Sequence, residues 1–241
     1  MTNRVNPRRR GSYGIDAPYW AAGLAVLIAV NVLSAVLSGG VWSWMPVVFL
    51  LGCAAFAFHT TLRGKFAVWA ALLDQMALRG DERVLDLGCG RGAVLLLAAQ
   101  HLTTGRAVGL DLWRSGDQLG NAAEATRRNA SAEGVADRVT LLTGNMTALP
   151  LEDNCFDVVV SSLAMHNIRE RAGRDRAVSE AMRVLRPGGR LLIADIWATR
   201  QYQAHLTRLG IRDVTRRGLG WRLWWGGPWV ATRLVQAKKP A

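Results

Sequence analysis

Val84-Leu85-Asp86-Leu87-Gly88-Cys89-Gly90-Arg91-Gly92 reads as an apolar strand that ends beside an acidic residue, turns through three glycines and enters an apolar helix near Ala93. Glycine suits such a turn because the chain bends tightly and brings its backbone close to a ligand with no Cβ in the way. The spacing is G-x-G-x-G and not the G-x-G-x-x-G of dinucleotide-binding enzymes, which argues against a nicotinamide cofactor.

Outward from this turn, strand and helix signals alternate. Arg83–Leu87 predicts a first strand, with a helix following to about Gln100. Strands follow at 107–110, with Asp111 at the tip, at 139–142 and at the β-branched run 156–161, with a helix over 118–133 between the first two of these. A helix over 174–185 is closed by Arg186-Pro187-Gly188-Gly189, a stop and turn, before a strand at 190–194. A helix at 199–209 and strands near 211–215 and 229–236 complete the chain, and an amphipathic helix over 66–78 leads it in. Regular alternation predicts an α/β, doubly wound parallel sheet.

Half of the 241 residues are apolar and the net charge is +12. The arginines are scattered from Arg63 to Arg233 with no lysine-rich run or aromatic-interleaved basic stripe, so nucleic acid is not the expected partner. Cys53, Cys89 and Cys155 form no C-x-x-C pair, which predicts no disulfide framework and no metal site.

The N-terminal part differs in kind. Between Asp16 and Arg63 there is no Asp, Glu, Lys or Arg. The runs 19–37 and 42–58 are each apolar, and the first is long enough to cross a bilayer as a helix; Ser38-Gly39-Gly40 makes the turn between them. Tyr19, Trp20, Trp42 and Trp44 fall where an aromatic belt would sit, and His59 reads as an interfacial residue. Arg4, Arg8, Arg9 and Arg10 precede the pair, and Arg63 and Lys65 follow it. The positive-inside rule then places both ends in the cytoplasm. The expected organisation is a basic cytoplasmic N-terminus (1–17), a transmembrane hairpin (18–62) and a catalytic domain (63–241) on the cytoplasmic side of the cell membrane.

The run Asp86-Leu87-Gly88-Cys89-Gly90-Arg91-Gly92 resembles the first motif of class I S-adenosylmethionine (SAM)-dependent methyltransferases. The phrase Val184-Leu185-Arg186-Pro187-Gly188-Gly189-Arg190-Leu191 resembles the motif before the fifth strand of that superfamily. The order of elements matches over residues 66–241, most closely for small-molecule enzymes such as the quinone-biosynthesis C-methyltransferases. The resemblance implies a Rossmann-like sheet of seven strands, the last antiparallel, and SAM as cofactor.

Ligands of an open α/β sheet sit at the carboxyl ends of its strands. Gly88, Cys89, Gly90 and Gly92 are thus expected around the methionine half of the cofactor, with Asp86 reaching its amino group. Asp111 would accept from both ribose hydroxyls, and Leu112 offers an apolar face to the adenine. Asn145 and Met146 stand where the family usually has an Asp reading the adenine amine, so the side-chain acceptor is kept and the charge lost. Ser162 opens the loop Ser162-Leu163-Ala164-Met165-His166-Asn167, where this fold faces the transferred methyl.

Of that loop, His166 is the candidate general base, and Asp195, after the fifth strand, is a second candidate for binding or proton removal. His166, with Asn167, also has a plainer reading as a residue that shapes the loop or caps the next helix, and Asp86 or Asp111 alone could be a helix cap. Trp221, Trp224, Trp225 and Trp229 cluster late with Arg216, Arg217 and Arg222, as core, lid or membrane contact. Two functions follow: a membrane-anchored methyltransferase with a small, lipophilic acceptor (a lipid, quinone or isoprenoid-like compound), or a tethered SAM-binding regulator without catalysis.

Overall fold

The computed structural model describes residues 9–114, 118 and 120–241; Arg4 and Arg8, which contribute to the charge asymmetry, lie outside them. Seven strands form one sheet in the order β3-β2-β1-β4-β5-β7-β6. They are β1 (Arg83–Leu87), β2 (Arg106–Asp111), β3 (Val139–Thr143), β4 (Phe156–Ser162), β5 (Leu185–Asp195), β6 (Val214–Gly218) and β7 (Arg233–Lys238). Neighbours from β3 through β5 are parallel, whereas β7 runs antiparallel to both β5 and β6. This is the class I methyltransferase fold. Its order reverses direction between β1 and β4, which opens a crevice at their carboxyl ends.

Successive side chains on a strand face opposite ways, and both faces here are covered by helices, so the central strands are mostly apolar on both faces. Val84, Val158, Val160 and Leu192 pack on one face with Trp69, Leu73, Leu95 and Leu96. Leu85, Leu87, Val159 and Ile193 pack on the other with Ala177, Val178, Tyr202 and Leu206.

The helices are α1 (Pro18–Ser38), α2 (Met45–His59), α3 (Lys65–Met76), α4 (Ala93–Gln100), α5 (Ala123–Glu133), α6 (Arg171–Val184) and α7 (Thr199–Arg208). The helix expected from Gln118 begins at Ala123, because Gln118 bonds instead to the N-terminal segment. The Arg186-Pro187-Gly188-Gly189 turn is absorbed into β5, whose register against β4 shifts between Phe156 and Val158. The last two strands lie later than expected, and Trp229 belongs to a short 3-10 turn and not to a strand.

α1 is 21 residues long, about 32 Å at 1.5 Å per residue. It ends at Gly39, whose φ of 68° requires the left-handed region that glycine enters freely. The second apolar segment does not stop where the run 42–58 ends. A 3-10 turn (Val41–Trp44), α2, a π-helical turn (Thr60–Gly64) and α3 run on as one helical stretch, Val41–Met76. Both apolar helices are long and apolar enough to cross a membrane, and most of their large side chains face outward.

The π turn marks where the hairpin meets the sheet domain. A Cβ on Gly64 would lie 1.8 Å from the Arg222 carbonyl oxygen, so only glycine permits this approach. Thr60 Oγ1 donates to the Trp224 carbonyl at 2.7 Å. Trp221 lies against His59, Trp224 against Phe56 and Trp229 against Phe49, with ring centroids 4.8, 5.5 and 5.7 Å apart. The late tryptophans therefore dock the sheet domain onto α2.

Candidate active site

The glycine turn is pinned to the neighbouring strand, since the Gly88 amide donates to the Leu110 carbonyl at 2.7 Å and the Gly90 amide to Asp111 Oδ2 at 2.8 Å. Two of its glycines are enforced by space as well as conformation. With φ of 76°, Gly88 would drive a Cβ to 2.2 Å from the Ala164 Cβ; at φ 49°, a Cβ on Gly90 would lie 2.7 Å from Gln118 Oε1. Gly92 is different. It precedes α4, and an added Cβ there would press on Leu96 and Thr126. It does not line the cavity described next.

That cavity, about 570 Å³, opens at the carboxyl ends of β1 through β4. Its wall includes Asp86, Gly88, Cys89, Gly90, Asp111, Leu112, Asn145, Met146, Ser162 and His166. Asp111 holds the turn with Oδ2 and accepts the Trp113 amide at 2.6 Å with Oδ1. Leu112 is exposed beside it. Asn145 Oδ1 accepts the Thr147 amide at 3.0 Å, which fixes its side chain in a local turn. Ser162 Oγ accepts from Trp69 Nε1 at 2.9 Å, tying α3 to the tip of β4.

Asp86 is the outlier in polarity. It is buried, and its Oδ1 has no hydrogen-bond partner among the described residues. Burial, with Asp111 nearby, pushes its carboxyl up to about 7. The Cys89 thiol is pushed up too, by burial and by the same two carboxylates. A buried carboxylate with an unmet acceptor at a glycine cradle suits a ligand that brings a cation with N–H donors. These residues fit SAM, whose amino-acid end carries an ammonium group.

At the far side of the cavity, His166 and Asp195 come together. His166 Nδ1 lies 2.6 Å from Asp195 Oδ1, and the His166 amide donates to Oδ2 at 3.0 Å. Asp195 is fully buried and does not line the cavity; it also accepts from the Ile196 amide and the Tyr202 hydroxyl. Burial and the Asp195 carboxylate push the Tyr202 phenol up, so it remains a donor. With Nδ1–H given to Asp195, the basic nitrogen of the ring is Nε2.

One wall escaped the sequence reading. Residues 9–17, expected as a basic tail, fold back over the cofactor end. The Ser12 amide donates to Asn129, the Gly11 amide and Tyr13 hydroxyl to Glu133, and Gln118 Nε2 to Asp16 Oδ1 at 2.8 Å. Asp16 also pairs with Lys65 at 2.5 Å, joining the residues before α1 and at the start of α3. Asp16, Ala17, Lys65, Gln118, Asn121 and Trp225 all line the cavity. The available signal was charge: Asp16 and Lys65 flank the uncharged stretch from opposite ends.

Residues 85–193 match the profile of a methyltransferase domain. That stretch is similar to methyltransferase domains, on a sheet of the class I fold. A demethylmenaquinone methyltransferase of Symbiobacterium thermophilum is 36% identical over 131 residues, 54% of this chain and 49% of that protein. The chloroplastic 2-phytyl-1,4-beta-naphthoquinone methyltransferase of Arabidopsis thaliana is 35% identical over 135 residues, 55% and 49% of the two chains. The chain thus spans about half the length of the curated relatives it matches. Among solved structures, geranyl diphosphate methyltransferase in complex with SAM aligns with a TM-score of 0.58 at 18% identity, covering 72% of this chain and 85% of that one. The [4+2]-cyclase SpnF aligns at 0.57 with 20% identity over 71% and 81%. A cyclase and a methyltransferase on one scaffold show that these likenesses speak to fold alone.

Proposed function

We propose that this protein is a membrane-anchored SAM-dependent methyltransferase whose acceptor is a quinol-like ring carrying an apolar tail. The observation that carries the reading is a single cavity with a buried carboxylate, Asp86, whose Oδ1 is left without a partner among the described residues, on one side and a His166–Asp195 dyad on the other. The quinone-type acceptor follows the relatives' names; the anchor follows the two apolar helices and the flanking basic residues, with both ends cytoplasmic.

In this reading Asp86 binds the cofactor's ammonium, the glycine turn lets the backbone approach its methionine half, and Asp111 accepts from the ribose. Leu112, Asn145 and Met146 surround the adenine. When bound, SAM supplies a methyl on a sulfonium for in-line displacement. His166 Nε2 takes the proton that the acceptor gives up, and Asp195 positions the ring and stabilises its charged form. Folding residues 9–17 over the cofactor end excludes water from the transfer. The dyad favours catalysis over a purely regulatory, SAM-binding role, which has no use for an oriented base.

The test is the purified full chain in detergent or nanodiscs, given methyl-labelled SAM and a demethylated naphthoquinol or a membrane lipid extract. Label in an extractable lipid supports the enzyme. Tight SAM binding with no label moved into any lipid refutes it and leaves the regulator.

A further inference from the structure

A second cavity, about 410 Å³, lies between the hairpin and the segment after β6. On α1 it is lined by Trp20, Gly23, Leu24 and Leu27, whose spacing places them on one helix face. Leu50 of α2 and Trp225 complete the contacts that matter here. From Trp20 to Leu27 the groove follows α1 for about 10 Å, starting at the end nearest the sheet domain. Among the described residues, no charged side chain lines it.

Trp225 lines this groove and also the cofactor cavity. It is fixed in that position: its indole Nε1 donates to Thr232 Oγ1 at 3.1 Å and its amide to the Val230 carbonyl at 2.9 Å. The neighbouring Gly226 brings its backbone against both helices, with a built Cβ 3.6 Å from Trp20 and 3.8 Å from Cys53. An apolar trough on the hairpin and the methyl-transfer chamber therefore share one wall. A molecule with a polar ring and a long apolar chain would place its ring in the chamber beside His166 and its chain along α1.

We infer that this groove seats the acceptor's isoprenoid or alkyl tail, and that Trp225 is the threshold over which the headgroup passes from the bilayer side to the cofactor. The inference rests on the lipophilic-acceptor reading above and adds the path and a determinant of tail preference. The competing occupant is the acyl chain of a bulk lipid, which would fill the trough with no relation to the reaction.

Gly23 offers the test, because a Cβ built there meets nothing within 4 Å and a larger side chain would project into open groove. In nanodiscs, Gly23→Phe should lower the preference for a long-tailed over a tailless demethyl-naphthoquinol by roughly tenfold or more in kcat/KM. An unchanged preference overturns the inference. Independently of turnover, a long-tailed naphthoquinone with a terminal diazirine should label wild-type peptides containing Gly23–Leu27 and Trp225, in competition with the unlabelled compound. Labelling spread over the outward faces of both helices without competition means bulk lipid only, and overturns it as well. If neither quinol is methylated while the competed label maps to the groove, the tail site stands and the methyltransferase reading falls.

Discussion

The two sides of the central cavity are built in different ways. The cofactor side comes largely from two adjacent strand tips and the turn between β1 and α4, with Asp86 and Asp111 at either side of the glycines. The rest of the wall, acceptor side included, is gathered from the loop after β4, the end of β5, the N-terminal fold-back, the start of α3 and the tryptophan segment after β6. A local turn can be specified by a few consecutive residues and reused on one fold for many acceptors. A wall of five distant segments depends on how the whole chain packs, and it is where substrate choice can differ between proteins sharing the same cofactor turn.

The largest expected effect separates chemistry from binding. His166→Gln removes the basic nitrogen at the acceptor side, so kcat should fall by about 10²–10⁴-fold, the usual contribution of a general base. SAM affinity, measured by calorimetry, should stay unchanged. Asp195→Asn should reproduce part of that loss and shift the pH profile of kcat, because the ring then loses its orienting acceptor. If affinity and kcat fall together in either variant, the two sides are not separable.

The converse change falls on the other side. Asp111→Ala removes a carboxylate that holds the Gly90 amide and faces the cavity. Loss of charge-assisted bonds worth about 2–3 kcal/mol should weaken SAM by ~30–150-fold in a binding titration. An unchanged Kd would move the ribose contact elsewhere.

How much of this was legible beforehand follows the same division. The strand-turn-helix at 83–100 could be read because alternation, an acidic tip and closely spaced glycines are all local signals, and the parallel strands followed from their apolar runs. His166 and Asp195 were both visible as candidates, yet their 2.6 Å pairing was not, since it depends on β4 and β5 being neighbours. The fold-back of residues 9–17 was hidden for a similar reason: Asp16 looks like a flanking charge until Lys65 and Gln118 meet it. The gap expected between the run 42–58 and the helix over 66–78 is bridged by the π turn, where Gly64 lets the helix run on against the Arg222 carbonyl.

That junction yields a prediction about the acceptor side's frame. Gly64→Ala forces a methyl into the Arg222 backbone, so the hairpin and sheet domain must separate locally. Thermal unfolding of the detergent-solubilised protein should show a loss of about 1–3 kcal/mol, the usual range for overpacking. Tailed-acceptor turnover should drop with it, and SAM binding should persist. An equal loss of SAM binding would mean that the cofactor side depends on the same joint.

The smallest effect lies in pH. The Asp86 carboxyl, raised by burial and by Asp111 to about 7, must be ionised to receive a cationic ammonium. Affinity for SAM should therefore rise by roughly tenfold between about pH 6 and 8. Stability runs the opposite way. The folded protein holds this proton more tightly than the unfolded chain does, so Asp86's contribution declines as pH climbs from the ordinary carboxylate range to about 7 and is flat beyond. Asp86→Asn keeps the shape without the charge. It should flatten the affinity profile, weaken SAM at pH 8 and raise the melting temperature of the ligand-free protein there, with the stability gain shrinking toward pH 4. A variant that melts lower at pH 8 would show instead that the Asp86 charge is satisfied within the protein, and the cofactor side would then need a different anchor for the ammonium.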